Sequence, residues 1–258
     1  MSEKNHDGKR SARERMAAER EKQKSAEKRR RALIVGASVV CVLGLAAVIG
    51  VVAANSGKDK KSDAAGPVVT PSGATGKDSL AIPVGKDDAK STLTVWEDFR
   101  CPACKAFETT YRPTIHELAD SGQLKVEYHL VTLIDGNMGG SGSRKAANAA
   151  ACAQDAGKFS AYHDVLYENQ PEETEDTFAD NAKLIELAGK VDGLDTPAFQ
   201  KCVNDGTHDS WVTKSNAAFQ SGGFTGTPTV LLGGKNIYAD QSMTPAKLKQ
   251  MVEAANKG

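Results

Sequence analysis

Asp98-Phe99-Arg100-Cys101-Pro102-Ala103-Cys104-Lys105 is the stretch that decides how this chain is read. It follows Leu93-Thr94-Val95-Trp96, a β-branched and aromatic run that predicts a central strand. Beyond it Phe107, Tyr111, Ile115 and Leu118 recur at helical spacing, which predicts one apolar face of a helix over about 102–119, with Pro113 kinking or interrupting it. The two thiols therefore sit at a strand-to-helix junction. There, unpaired backbone N–H groups and the positive end of the helix dipole favour the thiolate, the form that attacks disulfides. Cys101 is the expected nucleophile. Cys104, one helical turn on, is placed to attack a mixed disulfide formed at Cys101 and release the substrate.

Length and charge narrow the classes. The 258 residues have a formal net charge of zero, but residues 1–77 carry 16 Lys/Arg against 8 Asp/Glu while the rest carry 17 against 25. A +8 head joined to a −8 body argues against nucleic-acid binding by the body. Residues 32–54 contain no charged side chain and are dominated by Val, Ala, Leu and Gly. As a helix they would cover about 35 Å, enough for a hydrocarbon core near 30 Å, so a single transmembrane helix is expected. Basic residues gathered before it predict a cytoplasmic N-terminus and an extracytoplasmic body. Val52-Ala53-Ala54 resembles a signal cleavage site, but the apolar run exceeds the roughly 7–15 residues of a signal core, which favours an uncleaved anchor. Either reading delivers the body to a compartment where disulfides persist.

Cys41 falls inside the apolar run and reads as a small buried residue, with lipid attachment as the alternative. The other four cysteines admit three pairings. Local spacing favours Cys101 with Cys104, leaving Cys152 with Cys202 as a structural disulfide, and two unpaired buried thiols as the alternative.

The expected organisation is a basic cytoplasmic tail over 1–31, the membrane helix over 32–54, a flexible linker over 55–77 containing Pro67 and Pro71, and a folded domain over 78–258. Within that domain, residues 80–82 predict an edge strand, Gly85-Lys86-Asp87-Asp88 a turn, and 124–134 a second core strand. Residues 141–222 read as a helical block: an Ala-rich helix around Cys152, then helices over 159–167, 177–187, 197–203 and 211–219. The acidic run 172–176 reads as a loop and helix start. Residues 229–232 and 236–238 around Gly233-Gly234 predict a hairpin, and Thr244-Pro245 opens a last helix through Leu248, Met251 and Val252. His116, His129, His163 and His208 are scattered and there is a single CxxC, so neither a metal site nor a cofactor is expected; His163, beside Tyr162, reads as a packed core residue.

A strand–CPAC–helix–strand unit, a helical block, and then Gly223-Phe224-Thr225-Gly226-Thr227-Pro228-Thr229 ahead of a hairpin and final helix resemble the thioredoxin fold. More closely, the chain resembles the DsbA-like thiol–disulfide oxidoreductases over roughly residues 78–258. The resemblance implies an α/β thioredoxin-like fold with an inserted helical subdomain, Cys101 as nucleophile and Cys104 as resolving thiol. It also implies that Pro228 is the cis-proline beside the thiols and that the Thr227 backbone pairs with an extended substrate. Anchored members with an extra cysteine pair in the insertion match Cys152 and Cys202. Family members often carry a buried acid six places before the nucleophile, where this chain has Val95. Glu97 and Asp98 are within reach to substitute, or are solvated or capping carboxylates; Arg100 stabilises the thiolate or faces solvent. The expected function is a membrane-anchored, extracytoplasmic oxidase of exported thiol-containing proteins, reoxidised by a membrane partner. A reductase or isomerase of the same fold, and a metal-handling or non-catalytic binding module, remain as alternatives.

Overall fold

A computed structural model describes residues 67–257. The expected tail and membrane helix, and residues 55–66 of the expected linker, lie outside them; among the described residues no helix is long and apolar enough to cross a membrane.

Five strands form one sheet among the described residues, in the order β1-β3-β2-β4-β5: β1 Ile82–Val84, β2 Ser91–Glu97, β3 Leu124–Leu130, β4 Thr229–Leu232 and β5 Lys235–Asn236. β2 and β3 run parallel, with Leu93 opposite Val126 and Val95 opposite Tyr128; the other pairs are antiparallel. A parallel pair needs a crossover, and α1, Pro102–Asp120, supplies it. Leu93, Val95, Leu124, Val126 and Leu130 are fully buried, as central strands covered on both faces require. Pro113 does not interrupt α1. Its ring sits on the exposed side, and Thr109, whose carbonyl it leaves without a helical donor, is also exposed, so water satisfies the lost bond.

The second core strand ends at Leu130, short of the expected 134. Val131 N–H bonds the Glu97 carbonyl, and the chain then turns into α2, Leu133–Met138, because the Asp98 carboxylate takes the Ile134 N–H at 2.8 Å. The edge strand is displaced from 80–82 to Ile82–Val84, since Ala81 pairs instead with Thr75 in an isolated bridge. The hairpin's second strand is Lys235–Asn236 rather than 236–238, set by Gly233 and Gly234, whose φ values of 56° and 81° suit a two-residue turn.

The inserted helical layer comprises α3 Gly142–Asp155, α4 Phe159–Glu168, α5 Asn181–Ala188, α6 Pro197–Asp205 and α7 Asp209–Ser221; α8, Pro245–Lys257, packs back on α1. α3 is its axle. Ala146, Ala147, Ala149, Ala150, Ala151 and Ala153 are all fully buried, so the helix is enclosed on every side, and small side chains let α4, α6 and α7 approach it. The helix expected over 177–187 is split: Thr177–Ala179 is a 3₁₀ turn, and Asp180 caps α5 by accepting the Ala182 N–H. α3 and α6 are joined by the Cys152–Cys202 disulfide.

The folded domain begins before the expected residue 78. Ser72 N–H donates to Asp155 at 2.7 Å, Gln154 donates to the Ser72 carbonyl, and His208 Nδ1 lies 2.8 Å from the Val69 carbonyl. The polar, proline-containing composition of residues 67–77 resembles a linker, but its backbone groups find fixed partners on α3 and at the start of α7.

Candidate active site

The β2–α1 junction is pinned from several directions. Asp98 is buried, and its carboxylate accepts the Arg100 N–H at 2.8 Å and that of Ile134 at 2.8 Å, while its carbonyl accepts the Cys101 N–H at 3.0 Å. Gln170 donates to the Phe99 and Cys101 carbonyls at 2.8 and 3.0 Å. Cys101 occupies the N-cap of α1 with an extended backbone, followed by Pro102 at the first helical position, where a missing N–H costs nothing. Both thiols are free; Cys101 is 7% exposed and Cys104 is 0% exposed.

The Thr227–Pro228 bond is cis, and the Cys101 thiol donates to the Thr227 carbonyl at 3.3 Å. The next residue, Thr229, pairs with Trp96 across β2 and β4, so the sheet itself carries this segment to the thiols. Thus Cys101, Cys104, Thr227 and Pro228 converge on one site. Cys152 and Cys202 lie together in the helical layer as a disulfide.

The two thiols are electrostatically unlike. The Cys104 thiol hydrogen-bonds Cys101 and does most to bring the Cys101 pKa down to about 6; burial opposes this, and Thr227 with the backbone N–H groups of Cys104 and Ala103 assists. Cys104 is pushed well above the usual thiol range by burial first, then by Cys101 and the charge of Glu97. Asp98 is raised to about 7, chiefly by burial, against the N–H groups that favour its anion.

Arg100 neither faces the thiolate nor solvent. Its buried guanidinium lies 2.7 Å from Asp135 and 3.0 Å from Asp176 and donates to the Gly139 and Glu173 carbonyls. Asp176, from the run read as a loop and helix start, also accepts the N–H groups of Ser141 and Gly142 at the start of α3. The wrapping chain passes so close that a Cβ on Gly140, at φ +98°, would collide with Asp176 and Arg100. The arginine therefore fastens the helical layer to the active-site loop.

Glu97, at the end of β2, is fully buried and ion-paired with His163 at 2.8 Å. Glu108, one turn beyond Cys104 on α1, is also fully buried, and neither of its carboxyl oxygens has a partner. Burial raises it to about 8, so it is mostly neutral at pH 7. His163 is raised to about 10: burial, the largest single influence, lowers it, but the charge of Glu97 together with the hydrogen bonds to Asp164 and Glu97 outweighs it. The ligand-type atoms of Glu97, Glu108 and His163 lie within 4.8 Å of one another, a spacing a cation could bridge. A protonated Glu108 and a His163–Glu97 ion pair already neutralise the cluster without one. Sequence reasoning named Glu97 as a substitute for the family's buried acid and His163 as a core residue, but did not bring the two together with Glu108. The available signal was Glu108, an acid at i+4 from Cys104 on the otherwise apolar face of α1.

Beside the thiols, Phe107 stacks on Tyr111 with centroids 4.9 Å apart and meets Tyr238 edge-on at 6.0 Å. Tyr238 is 42% exposed, which leaves an aromatic ledge open to solvent.

Comparisons with known proteins agree with this geometry. The model of a family described as Thioredoxin matches residues 77–254. Disulfide bond formation protein D of Bacillus subtilis is 29% identical over 180 residues, 68% of this chain and 77% of that protein. The probable disulfide bond formation protein D of Bacillus cereus is 28% identical over 172 residues, 65% of this chain and 77% of that protein. Among solved structures, oxidised BdbD from Bacillus subtilis superposes with a TM-score of 0.59 at 25% identity, covering 74% of this chain and all of that one. Reduced DsbA from Mycobacterium tuberculosis gives 0.59 at 27% identity, covering 69% and 93%.

Proposed function

Because this chain belongs to the thioredoxin family and is a thiol–disulfide oxidoreductase of the DsbA-like kind, we propose that it introduces disulfides into exported proteins from a membrane-anchored, extracytoplasmic position. The observation that carries the oxidase direction is the asymmetry of the two thiols. A nucleophile held near pKa 6 stabilises the reduced form, and stabilising the reduced form makes the disulfide a stronger oxidant. Compartment and anchoring are supported by the charge split and the apolar run over 32–54.

In this reading a client thiolate attacks Cys101 Sγ of the Cys101–Cys104 disulfide. The Cys104 sulfur leaves and is protonated, and a mixed disulfide joins client to Cys101. A second client thiolate then attacks the client sulfur, and Cys101 departs as a thiolate, a good leaving group because its pKa is low. The Thr227 carbonyl, 3.3 Å from Cys101, and the aromatic ledge of Phe107 and Tyr238 flank the path of an extended client. Cys101 and Cys104 are thus the catalytic residues and Thr227 and Pro228 the substrate-binding segment, with Cys152–Cys202 structural. A membrane partner reoxidises the reduced pair.

The test uses the full chain in detergent, assayed for oxidation of reduced ribonuclease and reduction of insulin, with Cys101→Ser alongside. Loss of both activities in the variant is expected; equal activity in the two proteins rejects the assignment. A redox titration then fixes direction: a potential above about −200 mV supports the oxidase and one near about −270 mV a reductase.

A further inference from the structure

Charge balance alone leaves the buried cluster of Glu97, Glu108 and His163 incomplete. Glu97 Oε2 and both carboxyl oxygens of Glu108 are buried and accept no hydrogen bond. A proton on Glu108 removes a charge but serves a single contact, whereas three oxygens need one, and a buried polar atom left unpaired carries its full desolvation penalty. The three residues come from the end of β2, from α1 and from α4, yet one nitrogen or oxygen of each lies within 4.8 Å of the others. His163 Nε2 is 2.8 Å from Glu97 Oε1. Ligands on zinc bonds of about 2.0–2.2 Å are at most about 4.4 Å apart, so shifts of less than about 1 Å would close the set on an ion.

The histidine is oriented as a metal ligand is. With Nε2 turned to Glu97, its Nδ1 lies 3.4 Å from Asp164 Oδ1, and Arg112 in turn lies 3.7 Å from that same oxygen. Metal-bound histidines almost always give their other ring N–H to a carboxylate or carbonyl, which fixes the tautomer and raises the basicity of the ligand. Phe99, Tyr128, Phe159 and Tyr167 surround the ring with centroids 4.7–5.7 Å away, an apolar sheath that strengthens bonds to a cation. Asp164 is partly exposed and lines a cleft of about 390 Å³ with His116 and Lys158, which gives an ion its way in.

We propose that Glu97, Glu108 and His163 bind a divalent first-row cation, with zinc the ion their donors suit, and that the ion fastens β2, α1 and α4 together. With Glu108 bidentate, the set is His163 Nε2, one oxygen of Glu97 and two of Glu108, the four donors that a structural zinc takes. No sulfur takes part, so the site stands whatever the direction of the thiol chemistry. Without the ion, Glu108 holds a proton and His163 and Glu97 are an ion pair. On loading, Glu108 and His163 each lose one proton to water, His163 keeping Nδ1–H towards Asp164, while two positive charges arrive, so the interior stays neutral.

The experiment adds zinc chloride to the oxidised full chain in detergent, in a Cys41→Ser background so that no thiol is free, and counts the metal retained after gel filtration. One equivalent is expected, with nitrogen and oxygen neighbours at about 2.0–2.2 Å and no sulfur at about 2.3 Å by X-ray absorption. Glu108→Gln keeps the shape and removes the charge; it should bind at least about 100-fold more weakly, a larger loss than an outer partner causes, and lose the rise in melting temperature that zinc gives the parent. Asp164→Ala, at a partly exposed position, should weaken binding about 10–100-fold, and it reads the site even if Glu108→Gln fails to fold. His116→Asn, which alters the cleft alone, should bind as the parent does. A parent that retains no zinc, sulfur among the neighbours of the metal, affinity unchanged in Glu108→Gln or Asp164→Ala, or binding lost in His116→Asn overturns the site and leaves the oxidoreductase reading intact.

Discussion

Replacing Cys104 with Ala tests the electrostatic origin of the active thiol, because the Cys104 hydrogen bond is the largest cause of its depression. With a pKa of about 6, Cys101 is about 90% thiolate at pH 7; at the ordinary value of 9.0 it would be about 1% thiolate. The folded-state pKa lies below the unfolded one, so the stabilisation of the dithiol form is complete above pH 9 and is lost as pH falls through 6. The disulfide form has no such titration. Between pH 5 and 7, where glutathione itself scarcely ionises, the equilibrium constant for reducing Cys101–Cys104 with glutathione should therefore rise about tenfold. That is about 1.4 kcal/mol, or about 30 mV for two electrons. The assay pairs thiolate absorbance near 240 nm in the reduced protein with the glutathione equilibrium at each pH. Asp98, titrating near 7 beside Cys101, should broaden the transition. Wild type should show a midpoint near 6, and Cys104→Ala one displaced towards 9. A wild-type midpoint above about 8, or a redox equilibrium flat from pH 5 to 7, would refute the reasoning.

Two further outcomes follow from the scaffold. The Cys152–Cys202 disulfide closes a sequence separation of 50, and the chain-entropy relation gives about 4 kcal/mol for such a loop, so the double alanine variant should lose about that much in urea unfolding, with a steeper slope because the unfolded chain freed of its cross-link exposes more surface. A loss below about 1 kcal/mol contradicts this. His129, buried and stacked on Trp96 with centroids 3.9 Å apart, is lowered to about 4 by burial. The unfolded chain binds its proton first, so stability is full above pH 6.5 and falls by about 3 kcal/mol on descent to pH 4. His129→Phe, which keeps the stack, should flatten that part of the acid-unfolding curve, and an unaltered curve would exclude His129 as its source.

Legibility followed the physics of each segment. The CPAC junction, the strand before it and the Ala-rich helix were readable because apolar periodicity and thiol spacing are local properties. The Thr-Pro-Thr segment was readable only through resemblance, since the contact between the Thr227 carbonyl and Cys101 joins residues far apart in sequence. Arg100 was misjudged for the same reason: its partners Asp135 and Asp176 arrive from other elements, and nothing in its neighbours announces burial. Two residues along β2 from Val95, Glu97 is buried rather than solvated, and pairing with His163 from α4 is what makes burial of that carboxylate tolerable. The start of the domain was placed too late because composition records only apolar content, whereas residues 67–77 are held by backbone hydrogen bonds.

That fastening decides where mechanical load enters the domain. A pull arriving along the chain before Pro67 meets Val69 and Ser72, and through them His208, Asp155 and Gln154, ahead of the sheet. Asp155 ends the helix that carries Cys152, so tension is handed to a helix covalently riveted to its neighbour. Tension entering from that end therefore reaches the cross-linked pair of helices before it reaches the strands of the sheet.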